Sequence, residues 1–258
     1  MKSTTLIFLH GFPFNSSSWD EQVDYFQSRY HVLAPDLRGH GTAEAPLGPW
    51  MIRHFADDLK VMMDAKRIGR AILCGLSMGG YVALEFAHRY PERLSGLVLA
   101  DTRADADSNE AKDKRFDAIE KLHQGDLGVF AKEFTKQVLS DQTFREKSQI
   151  RERVEEMILG NAPRNLAMAV GALAARLDMR AMLSSLQCPT AVFVGSEDKL
   201  TPPELSEAMA SQIDSAELRI IKGAGHLSNL EEPQVFNDYL EEFLENNFAK
   251  SEVVFSEL

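Results

Sequence analysis

The pentapeptide Gly75-Leu76-Ser77-Met78-Gly79 stands between an apolar run, Ala71 to Cys74, and a helix-periodic run from Met78 to Tyr90. A serine flanked by glycines at a strand-to-helix junction constrains the fold, because two backbones must pass close together over a sharp turn. The four apolar residues before the motif fit a strand buried on both faces of a parallel sheet. After it, Val82, Ala83, Phe86, Ala87 and Tyr90 recur at helical spacing, and Pro91 stops the run. A serine hydroxyl is a weak nucleophile at its free pKa, so a reactive Ser77 requires a base beside it. Its plain reading as a small turn residue is the alternative at this level.

Short apolar runs alternate with helix-length segments along most of the chain, which predicts a doubly wound α/β fold with a mainly parallel sheet. The expected strands are Thr5 to Leu9, His31 to Ala34, Ala71 to Cys74, Leu94 to Ala100, Thr190 to Val194 and Glu217 to Ile221. Phe55, Leu59, Met62 and Met63 mark one helix face, and Val235, Tyr239, Phe243 and Leu244 another. From Arg103 to Leu186 the strand-like runs cease and charged, helix-periodic sequence takes over. The expected division is therefore a first core part over 1–102, an inserted helical cap over 103–186 and a second core part over 187–258. The cap would lie at the carboxyl end of the sheet, where open α/β proteins bind ligands. Leu166, Met168, Ala169, Leu173 and Leu177 are its candidates for an acyl or alkyl pocket, although methionine at helical spacing is ordinary packing too.

At 258 residues and 44% hydrophobic content the chain can bury a full core. Its formal net charge of -11 repels phosphate backbones and anionic lipid surfaces, so neither nucleic acid nor membrane is an expected partner. Leu6 to Leu9 is too short for a signal segment or a span, and the expected location is cytoplasmic. Cys74 and Cys188 fall in no ligand pattern and read as reduced, buried and inert. His31, His54, His88 and His123 lack paired ligands, so no metal is expected.

A base and an orienting carboxylate should come from loops at other strand ends. Asp198 follows the strand Thr190 to Val194, and His226 follows the strand Glu217 to Ile221. Asp101, at the end of Leu94 to Ala100, is the rival carboxylate. His10-Gly11-Phe12-Pro13, Pro35-Asp36-Leu37-Arg38-Gly39-His40-Gly41, the elbow with Gly80, Gly195 to Pro202, and Gly225-His226 with Glu231 and Pro233 complete the pattern. On these segments the chain resembles the α/β-hydrolase superfamily over roughly Thr5 to Leu244, within its small esterases and lactonases such as 3-oxoadipate enol-lactonases. The chain order Ser, Asp, His is the one this resemblance requires. It implies Ser77 as nucleophile, His226 as general base and Asp198 as orienting carboxylate.

Negative charge developing on a substrate carbonyl must be met by preorganised donors. The Met78 N–H, at a helix N-terminus, supplies one. The family position of the second is Phe12, consistent with Pro13 having no N–H. His10 is expected to brace that loop rather than transfer protons, and Asp36 and His40 to stabilise a neighbouring loop.

The implied reaction is ester or lactone hydrolysis of a small molecule through an acyl-enzyme, with no cofactor. Rivals are a C–C bond hydrolase of meta-cleavage products, whose family usually has Asn where Leu76 stands, and a ligand receptor on a hydrolase scaffold. Perhydrolase side activity and cyanohydrin lysis use the same triad. Ser77 argues against the dehalogenases and epoxide hydrolases, which use an Asp nucleophile. Arg103, Arg164 and Arg176 are candidate partners for a substrate carboxylate, each with an alternative reading as a solvated charge. Two departures from the pattern are expected: no antiparallel hairpin before the first strand, and Thr42 in place of the usual Ser. The C-terminal Val253-Val254-Phe255 could cover the resulting sheet edge or join two copies, leaving monomer and homodimer both open.

Overall fold

The computed structural model describes residues 4–248. Its strands are β1 (Thr5–Leu9), β2 (His31–Leu33), β3 (Ala71–Leu76), β4 (Leu94–Ala100), β5 (Thr190–Gly195) and β6 (Glu217–Ile221). They form one sheet in the order β2-β1-β3-β4-β5-β6 with every pairing parallel. Each expected strand is present within two residues of its expected ends. Among the described residues no strand precedes β1, so the hairpin common in this architecture is absent there and β2 forms an edge. Val253 to Phe255 lie outside the described residues.

All residues of β1, β3 and β5 are buried, as continuous apolar runs require when helices cover both faces. Successive side chains alternate between two cores: Ile7, Leu9 and Leu73 join one, while Leu6, Phe8, Ile72 and Cys74 join the other. The first core is closed by α2 (Ile52–Ala65) and α3 (Met78–Arg89), the second by α1 (Asp20–Phe26) and a C-terminal helix over Pro233–Phe248. Cys74 is fully buried, whereas Cys188 is only partly so, a correction to the sequence reading; burial raises both thiols above their usual pKa.

The chain leaves β1 for β2 and then returns across β1 to form β3, so the switch in strand order falls between β1 and β3. Loops at the carboxyl ends of these two strands diverge and leave a crevice. The segment joining β4 to β5 contains α4 (Asn109–Gln124), α5 (Leu127–Val138), α6 (Asp141–Glu146), α7 (Ser148–Leu159) and α8 (Pro163–Ala174). No strand interrupts these five helices, in line with the change of sequence pattern at Arg103. Helix α3 is buried all round from Met78 to Ala87 rather than amphipathic, because α2, the sheet and apolar residues of α8 surround it. No described helix is long and apolar enough to cross a membrane.

Candidate active site

Ser77 occupies a left-handed conformation, with φ 51° and ψ -111°, between the end of β3 and the first turn of α3. A non-glycine residue is held there only where its surroundings over-determine it. The Ser77 N–H donates to the Ala100 carbonyl at 2.9 Å, and the Ser77 carbonyl accepts from the Thr102 hydroxyl at 2.8 Å and the Gly80 N–H at 2.9 Å. A side chain at Gly75 would run into the Gly79 carbonyl, and one at Gly79 into the carbonyls of Leu9 and His10. The two glycines therefore let α3 start directly against the ends of β3 and β1, which lifts the Ser77 side chain clear of the sheet.

Ser77 Oγ lies 2.8 Å from His226 Nε2, and His226 Nδ1 lies 2.8 Å from Asp198 Oδ2. These three side chains come from the ends of β3, β6 and β5 respectively. Asp198 is the i residue of a tight turn: its Oδ1 accepts the N–H groups of Leu200 and Thr201, each at 2.9 Å. The Thr201 hydroxyl donates to Oδ2 at 2.7 Å and lies 3.3 Å from His226 Nδ1. Burial alone would raise the Asp198 pKa, but the charge and hydrogen bond of His226, with the two hydrogen bonds from Thr201, hold it below the usual carboxylate value. Burial likewise disfavours the His226 imidazolium, yet the Asp198 carboxylate, helped by Asp101 and Glu231, raises His226 above its ordinary 6.5.

Asp101 does not bond to the imidazole. Its Oδ1 accepts the Gly195 N–H at 2.8 Å and its Oδ2 bonds to the Ser228 hydroxyl. Complete burial, followed by the nearby charge of Asp198, pushes its carboxyl well above the usual range. Two adjacent carboxyl groups are thus shifted in opposite directions, Asp198 down and Asp101 up.

Phe12 and Met78 line the same cavity as Ser77 and His226, and neither backbone N–H has a hydrogen-bond partner among the described residues. The Phe12–Pro13 peptide is cis. His10 is fully buried beneath this loop: its Nε2 accepts the Leu37 N–H at 2.9 Å, which fixes the proton on Nδ1, and Nδ1 donates to the Gly11 carbonyl at 2.9 Å. Burial lowers its pKa to about 4. Asp36 ties the next loop, accepting from the Ser16 N–H at 2.8 Å and from both the N–H and hydroxyl of Thr42 at 2.8 and 2.9 Å. Serine at position 42 would offer the same two donors. His40 packs edge-on to His10 with ring centres 5.2 Å apart, and burial lowers it to about 3.

The cavity holds about 540 Å3 and is roofed by α4, α5 and α8. Of the apolar residues expected to shape it, Leu173 lies in its wall; Leu166 and Ala169 are packed in the core, Met168 packs against that core, and Leu177 is exposed. Phe130, Phe134 and Val170 take their place. Arg103 and Arg176 line the cavity, whereas Arg164 is exposed and outside it. Thr201, Tyr81 and Arg115 were not singled out from the sequence. A signal for Thr201 exists, because an Asp followed at the third position by Thr is a common self-capping turn.

A model of the alpha/beta hydrolase fold matches residues 4–233. The chain is 30% identical to 3-oxoadipate enol-lactonase 2 of Acinetobacter baylyi, over 92% of its own length and 86% of the relative's. Among solved structures it is similar to a thermophilic esterase from Thermogutta terrifontis with malate bound, at 36% identity and TM-score 0.92, covering 95% of this chain and 90% of that one. It is also similar to the enol-lactonase from Burkholderia xenovorans LB400, at 25% identity and TM-score 0.88, covering 95% and 92%. With the strand order, the turn at Ser77 and a match that runs through both core segments and the helices between them, the chain belongs to the α/β hydrolase fold family.

Proposed function

We propose that the protein is a serine hydrolase that cleaves carboxylic esters or lactones of small molecules through an acyl-enzyme. The observation that carries this reading is the unbroken series Ser77 Oγ, His226 Nε2, His226 Nδ1, Asp198 Oδ2, with 2.8 Å at each of its two hydrogen bonds, opening on the cavity. As Ser77 Oγ attacks the carbonyl carbon, His226 Nε2 takes its proton and Asp198 stabilises the imidazolium. The N–H groups of Phe12 and Met78 receive the oxyanion, the latter aided by the N-terminal end of α3. Collapse expels the alkoxide, which leaves as an alcohol with the proton from His226. Water then gives its proton to His226 and attacks the acyl carbon, releasing the acid and restoring Ser77.

Residues 103–186 act in this reading as a cap that closes the site between core parts 1–102 and 187–258. A cavity of about 540 Å3 suits a small ligand rather than a polymer. Relatives named as an enol-lactonase and an esterase, at 30% and 36% identity, favour ester and lactone substrates over C–C bond cleavage. The test is a panel of short p-nitrophenyl esters, long esters, an enol-lactone and a dienone acid. Turnover of short esters or the lactone is expected. Cleavage of the dienone acid alone, or of none, would overturn the reading.

A further inference from the structure

The loop after β1 runs against the nucleophile, so closely that a side chain added at Gly11 would come within 3.2 Å of the Ser77 Cβ. Two of its carbonyls are held, each by a different part of the protein. The Gly11 carbonyl accepts from His10 Nδ1 at 2.9 Å and from the Phe14 N–H at 3.0 Å. A peptide group is planar, so these bonds set the direction of the Phe12 N–H at one end of the residue. At the other end, the carbonyl of the buried Pro13 accepts from Asn161 Nδ2 at 2.9 Å, across 148 positions of sequence. No other described donor reaches that carbonyl.

Asn161 stands in the turn between α7 and α8, inside the helical insertion, and is 5% exposed. Its Nδ2 also donates to the Met157 carbonyl of α7 at 2.8 Å, and its Oδ1 accepts the Gly41 N–H at 2.8 Å. Carbonyls only accept and a backbone N–H only donates, so the orientation of this amide is fixed by its partners. No other side chain of that length offers two donors and an acceptor. One buried amide therefore ties the loop after β1, the loop after β2 and α7 together. Arg153 of α7 adds a second tie, donating through Nη2 to the Ser17 carbonyl at 2.6 Å. Loss of the Asn161 amide leaves the Pro13 carbonyl buried and unsatisfied, a cost the loop relieves only by moving, and Phe12 moves with it. Displacement of an oxyanion donor by about 1 Å is enough to cost about a hundredfold in rate.

We infer that Asn161 is a positioning residue for the oxyanion hole: by holding the Pro13 carbonyl it keeps the Phe12 N–H where negative charge develops on the substrate. The helical insertion then contributes to the rate as well as to enclosure. This rests on the ester or lactone reading above and adds a residue to its machinery. Asn161 does not line the cavity, so it makes no contact with bound substrate. An effect confined to the oxyanion belongs in kcat and not in KM.

The experiment compares Asn161→Ala with the wild-type protein in turnover of p-nitrophenyl butyrate and in inhibition by a short alkyl trifluoromethyl ketone, whose adduct with Ser77 places an oxyanion in the hole. A fall of about tenfold or more in kcat is expected, with KM within about threefold and inhibitor affinity weakened in step with kcat. Unchanged kcat and inhibitor affinity, whatever the melting temperature, would mean that Asn161 serves folding alone, and would overturn the inference while leaving ester hydrolysis intact. Should the alanine variant fail to fold, Asn161→Asp keeps the size and the bond from Gly41 but sets an acceptor against the Pro13 carbonyl, and the same outcomes decide. If the wild-type protein turns over no ester, the ester reading fails by itself, and the rate at which a fluorophosphonate labels Ser77, read by mass, tests the hole directly. Labelling slowed about tenfold in the variant supports the inference. Equal labelling, or none in either protein, overturns it.

Discussion

The backbone N–H of His226 donates to the carbonyl of Val138 at 2.7 Å, so the loop that carries the imidazole is tied to the C-terminal end of α5 as well as to the sheet. Glu231 reinforces this junction from below, its two oxygens accepting the N–H groups of Gly225 and Ser140, each at 2.9 Å. The helices inserted after β4 therefore help to position a residue that follows β6.

Gly225 is where that junction is tightest, since a side chain there would overlap the backbone of Val138, Leu139 and Ser140. Backbone atoms cannot swing aside as a flexible side chain does. Gly225→Ala is expected to destabilise the fold by about 1–3 kcal/mol and to lower kcat by displacing His226, read by thermal denaturation and by ester turnover. An unchanged melting temperature and kcat would show that the two elements are not coupled.

Asp198 and Asp101 should respond in opposite ways to the same substitution. Asp198→Asn removes the charge that orients and stabilises the imidazolium, and a loss of about 10³–10⁴ in kcat is expected. Asp101 makes no bond to the imidazole and its carboxyl is shifted upward by burial, and an amide can accept from the Gly195 N–H and donate to the Ser228 hydroxyl. Asp101→Asn is therefore expected to leave kcat within about threefold. Comparable losses in both variants would show that Asp101 is ionised at its working pH.

The rate should rise with pH through a pKa above 6.5, because His226 accepts a proton only when neutral and its net shift is upward. Removing the Asp198 charge takes away the largest upward contribution against burial, so in Asp198→Asn the rising limb of kcat/KM should move to lower pH. A limb that stays in place would mean that it reports another group.

Acid should weaken the loops around the site before the carboxylates titrate. His10 and His40, lowered by burial to about 4 and about 3, bind a proton near 6.5 once unfolded. The unfolded chain then takes up protons that the native protein refuses, so stability falls as pH drops from 6.5 towards 4. Between pH 6.5 and 5 the loss approaches about 1.4 kcal/mol per pH unit for each histidine. His226, shifted upward, does not add to this slope because it is protonated in both states below 6.5. Denaturant midpoints across this range test it, and a flat profile would contradict it.

The strands were readable because each interior strand of a parallel sheet is an apolar run of its own, and Ser77 because an elbow needs small residues at fixed positions. The choice of Asp198 over Asp101 came from the resemblance and not from spacing along the chain. They follow neighbouring parallel strands, β4 and β5, and only the turn made by Leu200 and Thr201 brings Asp198 to the imidazole. The meeting of Arg176 with Asp107, which also holds Arg115, was hidden for a related reason: Arg176 lies far from the other two along the chain and reaches Asp107 only when α4 packs against α8. Exposure misled in the other direction for Leu177, whose helical spacing suggested a pocket wall but which lies beyond the end of α8, 67% exposed.

The most direct measurement is acid quench of the protein during turnover of p-nitrophenyl butyrate, followed by mass mapping. A butyryl increment on the peptide containing Ser77 is expected, together with its loss in Ser77→Ala and a fall in turnover of about 10³ or more. Full turnover by Ser77→Ala, or an acyl group carried on another residue, would contradict a nucleophilic Ser77.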